Sequence, residues 1–519
     1  MPDLGIICLF SSIGYPLKLE GGELKHLASP TRRPIKASRV IFDVMYGFIP
    51  ITEWEEKIID SPLFQRLRWI KQLGFANYVF PGAEHNRFAH VIGVMHSMDQ
   101  MLRALGLAVT DNELFDPRTR SQQAMLHKSL RVSALLHDIG TFPFSHAVEH
   151  AFIRHGNHSQ KNRPKQDIPN KHSKGLKNLP NSHEHLGSFI IKNTRYDGGL
   201  TQILEQYGFD VQMISKIIKG DSPHLVANQL MHSDLDADRM DYLLRDAHYT
   251  GIKYGQFDRE YILANLVTYD AGGGQVAFGV RENATHAVED FLIARFSWYS
   301  QVIKNQASAK FDIMSSHIAE AFLQRDLIFQ FQDLLSLIEE RDERFFWWND
   351  IYLMNRCQEI RYKDLIRDPR IAELNGMLLY RRAPKTVRHP LFEHRIMKMD
   401  GDGHEREKLI SKINALVKDF ENVLEKHGTG KEWLLADIPS KDIVFTTGIP
   451  QIVKKRTGDN LYRERDPVKI VNKNGEPSLL VERENTLMKH LSGFTNFIPS
   501  VYGNDAAIQL LKSRGLIKK

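Results

Sequence analysis

A histidine followed directly by an aspartate constrains this chain more than any other feature of its sequence. His137 and Asp138 end an apolar run, and Gly140 and Pro143 follow shortly after them. Neighbouring residues on an α-helix point about 100° apart, so both can face one cavity only near the end of the helix. Burying both side chains is costly unless they are paired or bind a cation. The pair therefore predicts a polar site at a helix end, beneath a sharp turn.

Three other segments carry side chains of the same kind. HNRFAH contains His90, NSHEHLGS contains His183, and LDADRMDYLLRDAH contains Asp238. Two imidazoles combined with two carboxylates form a mixed nitrogen and oxygen site, which suits Mn²⁺, Fe²⁺, Ni²⁺ or Mg²⁺ better than structural zinc. A His-Asp dipeptide is common by chance, so unrelated polar residues of the core or surface are the alternative interpretation.

The composition is that of an ordinary soluble globular protein, with 42% hydrophobic and 25% charged residues. The formal net charge of +6 suits a nucleotide or a nucleic-acid partner, although it is also compatible with solubility alone. The two cysteines, Cys8 and Cys357, form no disulfide framework and no zinc motif, so a cytoplasmic location is expected. No apolar stretch is long enough for a membrane span, and no membrane partner is expected.

Changes in composition divide the chain into three predicted parts. Residues 1–37 are expected to be a disordered N-terminal extension, and residues 38–370 a mainly helical core. Within that core, residues 155–182 combine low apolar content with an excess of Lys and Arg, which predicts a basic mobile loop. Residues 371–519 alternate helical and β patterns, which predicts a smaller α+β lobe.

Local patterns predict the individual elements. RVIFD at Arg39–Asp43 predicts a strand, and apolar residues at helical spacing run on from Thr52 to Leu73. Asn474 and Gly475 lie between two β-rich runs, which predicts a hairpin. Further helices are predicted over residues 87–106, 121–138, 183–192, 236–248, 287–325, 327–341 and 408–426, with a strand at 442–449.

Three long motifs occur in a fixed order. They are IDSPLFQRLRWIKQLGFANYVFPGAEHNRFAHVIGVMHS, then LLHDIGTFPFSH, then DADRMDYLLRDAHYTGI. Together they resemble the core of the HD-domain deoxynucleotide triphosphohydrolases, over residues 39–260 and more weakly to about 340. The resemblance implies a helical phosphohydrolase core of the HD superfamily, a homo-oligomer, and cleavage of a dNTP into a deoxynucleoside and an intact triphosphate.

The resemblance also implies roles for particular residues. Those matching the metal ligands of the family, which would hold a divalent ion, are His90, His137, Asp138 and Asp238. Those matching contacts to substrate phosphates or sugar are Gln72, Arg87, Arg239, Tyr242 and Asp246. As alternatives, each of the latter could be a surface charge or part of a helix-face ion pair.

Two histidines match catalytic positions of the family. His146 matches the acid that protonates the leaving oxygen, and His183 matches a histidine that supports the phosphate. Histidine suits proton transfer near neutral pH. As alternatives, His146 could cap a turn and His183 could be a loop residue.

Asp60 and Arg68 match positions that bind a regulatory guanine nucleotide in animal members of the family. Both fall on one predicted helix, and a structural ion pair at a subunit contact is the alternative. The basic loop 155–182 could hold phosphates, attract nucleic acid or act as a lid, but solvation alone would also explain it.

Two positions depart from the family pattern. Thr141 stands where the family often has a second histidine, and Glu149 stands where some members have Asp. Threonine cannot supply the acid or the charge of an imidazole. A dNTP triphosphohydrolase is therefore the leading interpretation. A phosphodiesterase, nuclease or other nucleotide phosphatase is the alternative, followed by a non-catalytic nucleotide-binding protein.

Overall fold

The computed structural model describes residues 37–161, 181–398, 404–438, 443–446 and 466–518. Residues Ala37–Lys519 form one compact unit. The predicted extension lies outside the described residues up to Lys36, and so does most of the predicted basic loop, from residue 162 to residue 180. No helix in the described part of the chain has both the length and the apolar composition needed to cross a membrane.

The chain is mainly helical, as predicted. The α-helices within the described residues are α1 (Glu53–Asp60), α2 (Pro62–Gln65), α3 (Arg87–Ala104), α4 (Asp111–Phe115), α5 (Gln122–Leu136), α6 (His146–Lys161), α7 (His183–Asn193), α8 (Leu200–Gln206), α9 (Val211–Lys219), α10 (Leu225–His232), α11 (Ala237–Thr250), α12 (Arg259–Ala264), α13 (Thr285–Trp298), α14 (Gln306–Leu323), α15 (Phe331–Glu339), α16 (Asp350–Tyr362), α17 (Pro369–Leu379), α18 (His404–His427), α19 (Leu487–Leu491) and α20 (Asp505–Ser513).

Short strands form four small sheets. The strands are β1 (Arg39–Asp43), β2 (Gly47–Ile51), β3 (Leu266–Asp270), β4 (Val276–Arg281), β5 (Lys385–Thr386), β6 (Arg395–Lys398), β7 (Leu434–Asp437), β8 (Ile443–Val444), β9 (Lys469–Val471), β10 (Pro477–Leu479), β11 (Phe494–Phe497) and β12 (Ser500–Gly503). The sheet orders are β1-β2, β10-β9-β4-β3, β6-β11-β8 and β5-β12-β7. Strands β5 to β12 lie after residue 370, where a smaller α+β part was expected, whereas β1 to β4 lie in the mainly helical region.

The predicted hairpin around Gly475 is confirmed, and it joins an unpredicted sheet. Strands β9 and β10 pair antiparallel, and Gly475 takes a φ of 82° in the turn, a conformation that glycine adopts without strain. Strand β9 also pairs in parallel with β4, which belongs to the β3-β4 hairpin of the helical region. The C-terminal part is thereby hydrogen-bonded to the helical region, while a boundary near residue 370 stays a prediction.

The single helix predicted from Thr52 to Leu73 is wrong. Helix α1 ends at Asp60, and Ser61 caps α2 by accepting a hydrogen bond from the Phe64 amide. A proline has no amide hydrogen to continue a helix but fits its first turn, so Pro62 stops α1 and starts α2. A 3₁₀-turn follows at Arg66–Trp69.

Two other predicted ranges also differ. The helix predicted over 287–325 is split, because a π-turn at Tyr299–Ile303 ends α13 and the Asn305 side chain caps α14. Helix α6 continues to Lys161, so the predicted loop 155–182 begins as helix. Once a helix has formed against the core, each further residue adds a backbone hydrogen bond even when that residue is polar. The low apolar content of this segment therefore does not indicate where α6 ends.

Helix α3 packs against α5 and α11 in the main core. The predicted metal ligands lie on these three helices or directly after them. Gly93 lies on α3 at the crossing with α11. A Cβ at this position would overlap the carboxylate of Asp241 and the guanidinium of Arg245. The glycine therefore lets the two helices approach closely enough for their polar side chains to meet.

Candidate active site

The four predicted metal ligands come together where α3, α5 and α11 meet. His90 lies on α3, His137 is the C-cap of α5 with Asp138 after it, and Asp238 lies in the first turn of α11. Ligand atoms of His90, His137 and Asp138 lie within 4.8 Å of one another. Oδ1 of Asp238 lies 3.1 Å from Nε2 of His90 and 3.7 Å from Nε2 of His137.

Hydrogen bonds orient both imidazoles of this cluster. Nδ1 of His90 donates to Asp241 Oδ2 at 2.8 Å, and Nδ1 of His137 donates to the Ala134 carbonyl at 2.7 Å. Both Nε2 atoms are therefore left as the ligand atoms. Nε2 of His90 is buried and has no hydrogen-bond partner among the described residues. This donor set and its supporting hydrogen bonds fit a divalent metal ion.

A buried chain of charges holds His90 in place. Asp241 accepts hydrogen bonds from Arg245 at 2.9 Å through both of its oxygens, and Arg245 donates to Asp43 at 2.9 and 3.2 Å. The sequence analysis missed these three residues. The sequence did carry a signal for Asp241 and Arg245, because they share one helix face with Asp238 at spacings of three and four. It carried none for Asp43.

The electrostatics of the cluster favour a positive charge at its centre. Burial raises the pKa of Asp138, but the charges of Arg87, His137 and His90 outweigh it and hold the pKa well below its usual range. Burial lowers the pKa of His90, but the adjacent carboxylates of Asp238 and Asp241 outweigh burial and raise the pKa to about 9. The carboxylates thus stay ionised, and their negative charge favours either a protonated His90 or a bound metal cation.

The two predicted catalytic histidines share one carboxylate. Glu149 on α6 is buried and accepts hydrogen bonds from Nδ1 of His146 at 2.7 Å and Nδ1 of His183 at 2.6 Å. It also accepts the backbone amide of His183 at 2.8 Å. The ligand atoms of these three residues form a second group within 4.8 Å that could hold a metal. The sequence analysis noted Glu149 only as a departure from some relatives.

The surroundings of His183 favour its charged form. Burial lowers the pKa of this imidazole, but the charge of Glu149 outweighs burial and raises the pKa to about 10. Glu149 in turn has a pKa well below the usual value, because the charge and hydrogen bonds of the two histidines outweigh its burial. Asp138 and His183 also attract each other electrostatically. The two clusters therefore lie within electrostatic range of each other.

A strained turn presents His146. Phe144 and Ser145 have φ values of 51° and 56°, which are unusual for residues other than glycine. Asp350 on α16 accepts the amide of Phe144 at 2.7 Å and the amide of Lys71 at 2.9 Å. Asp350 thus ties the turn before His146 to the segment that precedes Gln72, and nothing in its sequence position indicated this.

Two predicted substrate contacts lie beside the metal cluster. Arg87 pairs with Asp138 and donates to the Ser145 hydroxyl at 3.1 Å and the Gln72 carbonyl at 3.3 Å. The Gln72 side chain is buried, and within the described residues its Oε1 has no hydrogen-bond partner. Arg87 thus contacts the cluster through Asp138, and Gln72 is linked to Arg87 through its backbone carbonyl.

The other three predicted contacts lie along α11. Arg239 pairs with Asp236, which caps the helix. The Tyr242 hydroxyl and Oδ2 of Asp246 are buried and have no hydrogen-bond partner within the described ranges. Oδ1 of Asp246 lies 2.8 Å from Nε2 of His85. Buried polar atoms without a partner are uncommon in folded proteins, so these two are candidates for ligand contacts.

Asp60 and Arg68 do not share a helix and do not pair with each other. Asp60 accepts two hydrogen bonds from Arg39, at 2.9 and 3.0 Å. Arg68 donates to Gln65 at 2.7 Å, and its guanidinium lies 3.5 Å from the centre of the Phe88 ring. The regulatory-site prediction for these two residues stays a prediction.

Thr141 occupies the position of the missing histidine. It is 4% exposed, its Oγ1 has no hydrogen-bond partner in the described part of the chain, and its carbonyl accepts from Arg66 at 2.9 Å. This side chain supplies a hydroxyl where the family pattern has an imidazole.

The chain is similar to several known proteins, although no family model matches it. An uncharacterized protein of Methanocaldococcus jannaschii is 31% identical over 63% of this chain and 59% of its own length. YwfO of Bacillus subtilis, also uncharacterized, is 30% identical over 55% of this chain and 56% of its own. The human deoxynucleoside triphosphate triphosphohydrolase SAMHD1 is 28% identical over 59% of this chain and 48% of its own.

Solved structures match more of the chain. A phosphohydrolase from Bacteroides thetaiotaomicron superposes with a TM-score of 0.59 at 19% identity, over 89% of this chain and 99% of its own. A hypothetical protein from Aquifex aeolicus superposes with a TM-score of 0.58 at 22% identity, over 91% of this chain and 99% of its own. These likenesses show the fold. The chain spans between 48% and 59% of the length of the curated relatives described above.

Proposed function

This chain is a relative of the HD-domain deoxynucleotide triphosphohydrolases, and on that premise we propose that it is a metal-dependent phosphohydrolase that cleaves dNTPs into deoxynucleoside and triphosphate. The observation that carries the proposal is the meeting of His90, His137 and Asp138 within ligand distance of one another, with Oδ1 of Asp238 3.1 Å and 3.7 Å from the Nε2 atoms of the two histidines. Four buried or half-buried polar groups of this kind are costly to bring together unless they bind a cation.

These four residues would hold one divalent cation, with Mn²⁺, Mg²⁺, Fe²⁺ and Ni²⁺ as candidates. When bound, such an ion polarises phosphoryl oxygens and lowers the pKa of water. Asp241 would keep His90 in the correct orientation and tautomer, because its carboxylate accepts the Nδ1 proton.

The second cluster would act on the phosphates and on the leaving group. Glu149 keeps His183 protonated, which supplies a fixed positive charge for phosphate oxygens. The His146 side chain is 64% exposed at the start of α6, so it can meet a substrate. We assign it the proton delivered to the leaving 5′-oxygen, a role that histidine performs near neutral pH.

Five residues would bind the rest of the nucleotide. Arg87 can exchange its contact with Ser145 for a phosphate oxygen, and its guanidinium can bind phosphate in a bidentate manner. Gln72, Tyr242 and Asp246 each keep a buried polar atom free of protein partners within the described residues, and these atoms suit a sugar or phosphate. Arg239 adds positive charge nearby.

The resemblance supports two further parts of the proposal. A regulatory nucleotide would bind near Asp60 and Arg68, and the protein would form a homo-oligomer. Added GTP that changes neither rate nor oligomeric state would contradict this regulatory part. Nucleic acid is a further candidate partner of the basic segment 155–182.

Product analysis tests the proposal. The full chain is incubated with each dNTP and NTP, and separately with a polynucleotide, in the presence of Mg²⁺ or Mn²⁺. Deoxynucleoside with intact triphosphate is the expected result. Monophosphate with pyrophosphate, or cleaved polynucleotide, would support a phosphodiesterase or other nucleotide phosphatase instead, and Thr141 in place of histidine is the observation that favours this second candidate. Nucleotide binding without turnover would support a non-catalytic protein.

A further inference from the structure

The guanidinium of Arg66 is buried beside the turn that follows Asp138. Arg66 lies in the 3₁₀-turn after α2 and is 1% exposed. Its Nη2 donates to the Ile139 carbonyl at 2.7 Å, and its Nη1 donates to the Thr141 carbonyl at 2.9 Å and the Trp348 carbonyl at 2.8 Å. One side chain thus joins its own turn to two distant segments of the core.

The burial of this cation is costly. Among the described residues, no carboxylate lies within ion-pair distance of Arg66. Burial lowers the pKa of its guanidinium to about 9, and the charge of Asp350 offsets burial only in part. An apolar side chain would fill the same volume without this cost. The planar fork of donors is therefore what arginine supplies at this position.

The turn that Arg66 holds carries one of the proposed metal ligands. The Thr141 amide donates to the Asp138 carbonyl at 3.0 Å, which closes the turn. The Ile139 and Thr141 carbonyls, which Arg66 binds, directly follow Asp138 or lie at the end of this turn. Arg66 therefore acts on the backbone that places the Asp138 carboxylate, whereas Arg87 pairs with the carboxylate itself.

The other side of the same turn lies against α7. A Cβ added at Gly140 would be 2.2 Å from the His183 carbonyl oxygen and 2.2 Å from the Gly187 amide nitrogen. Because no side chain fits in this space, glycine alone permits the contact. The turn is thus confined between Arg66 and the first residues of α7, which carry His183.

From these contacts on both sides of the turn, we propose that Arg66 is a positioning residue that fixes the metal cluster relative to His183. It touches neither the metal nor the substrate, and it acts through the Ile139 and Thr141 carbonyls. The inference rests on the proposed function, because it gives Arg66 a part in that same site.

Arg66 and Asp350 hold different parts of the segment that joins the two clusters. Asp350 accepts the amide of Phe144, close to His146, whereas Arg66 binds the part that follows Asp138. Loss of the Arg66 fork should therefore disturb the metal cluster, and loss of Asp350 should disturb the placement of His146. Metal affinity separates these two effects.

Titration of the full chain with Mn²⁺ tests the proposal. The test variant is Arg66→Lys, which keeps a positive charge but loses the planar fork. Its matched control is Arg131→Lys, because Arg131 is also a buried arginine, and its partners are carboxylates on α1 and α3. Both variants should lower the Tm, and only Arg66→Lys should bind Mn²⁺ about ten-fold more weakly.

Equal Mn²⁺ affinity in the two variants would overturn the inference, whether both keep the wild-type affinity or both lose it. The proposed function would survive that result, since the wild type would still bind the metal. A wild type that binds no Mn²⁺ would contradict the proposed function, and the inference with it.

Two further readouts address the turn and the guanidinium directly. In the metal-free proteins, the Thr141 amide should exchange its hydrogen faster in Arg66→Lys than in Arg131→Lys, and equal rates would overturn the inference. In Arg66→Ala, guanidinium ion at a low, non-denaturing concentration should restore Mn²⁺ affinity, whereas neutral urea of similar shape should not. Restoration by both compounds, or by neither in the folded variant, would contradict the assigned role.

Discussion

The carboxylate of Glu149 lies 2.6 Å from Nδ1 of His183. The same carboxylate accepts a hydrogen bond from His146, so one buried acid controls both histidines that are assigned to the reaction. Glu149 is a positioning residue in this account, because it acts on the substrate through its two partners. Its removal should therefore change chemistry more than it changes the fold.

Glu149→Gln should lower kcat by about 10²-fold, a typical value for one acid–base group. The pH dependence should change as well. The raised pKa of His183, about 10, keeps it protonated below that pH. Without the carboxylate that pKa falls, so the alkaline limb of the kcat profile should move to lower pH. Rates measured across pH for both proteins check this. An unmoved alkaline limb would contradict the assigned role.

Asp241→Asn should weaken metal binding by about 10- to 100-fold, because the amide no longer holds the Nδ1 proton of His90 firmly. Titration with Mn²⁺ measures the effect. Asp99→Asn is the matched control, because Asp99 is also a buried acid, lies on α3, and pairs with an arginine and a histidine of α5. Both variants should lose stability, and only Asp241→Asn should lose metal affinity. Equal metal affinity in the two variants would show that Asp241 is merely structural.

Asp350→Ala should lower kcat by about 10²-fold while leaving Mn²⁺ affinity unchanged. The change releases the amides of Phe144 and Lys71, so the turn before His146 can relax from its positive φ values. Displacement of a reacting group by about 1 Å can cost this much in rate. Steady-state kinetics and metal titration on the same preparation check it. Loss of metal binding in parallel with rate would point to general unfolding instead.

Gly93→Ala should destabilise the crossing of α3 and α11. The added methyl group would overlap the Asp241 and Arg245 side chains, and overpacking of a core costs roughly 1–3 kcal/mol. Gly493→Ala is the control, because an added Cβ there meets nothing within 4 Å. Thermal unfolding should show a lower Tm for Gly93→Ala alone. A Tm equal to that of the control would mean that the helices can separate without cost.

The sequence was informative where one short segment carries the whole signal. The His137-Asp138 pair predicted its own position at a helix end, and the helix predicted over residues 236–248 is the one that carries Asp238. The proximity of the four proposed ligands was therefore predictable, because they lie in three distinct motifs at or directly after predicted helices.

Contacts between distant segments were not predictable in the same way. Arg245 reaches Asp43 and Asp350 reaches Phe144 only because the chain folds back across the core. The parallel pairing of β9 with β4 has no local pattern, since either strand could add to another edge. Pro62 did carry a local signal, but the apolar spacing on both sides of it favoured one long helix.

In the proposed function, the cluster around Asp138 hydrolyses a dNTP. Product analysis of the full chain with Mn²⁺ and each dNTP, beside Asp138→Ala and the surface control Asp505→Ala, tests it most directly. The account predicts deoxynucleoside and intact triphosphate from the wild type and from Asp505→Ala, and no product from Asp138→Ala. Turnover that survives in Asp138→Ala, or products other than triphosphate from the wild type, would contradict it.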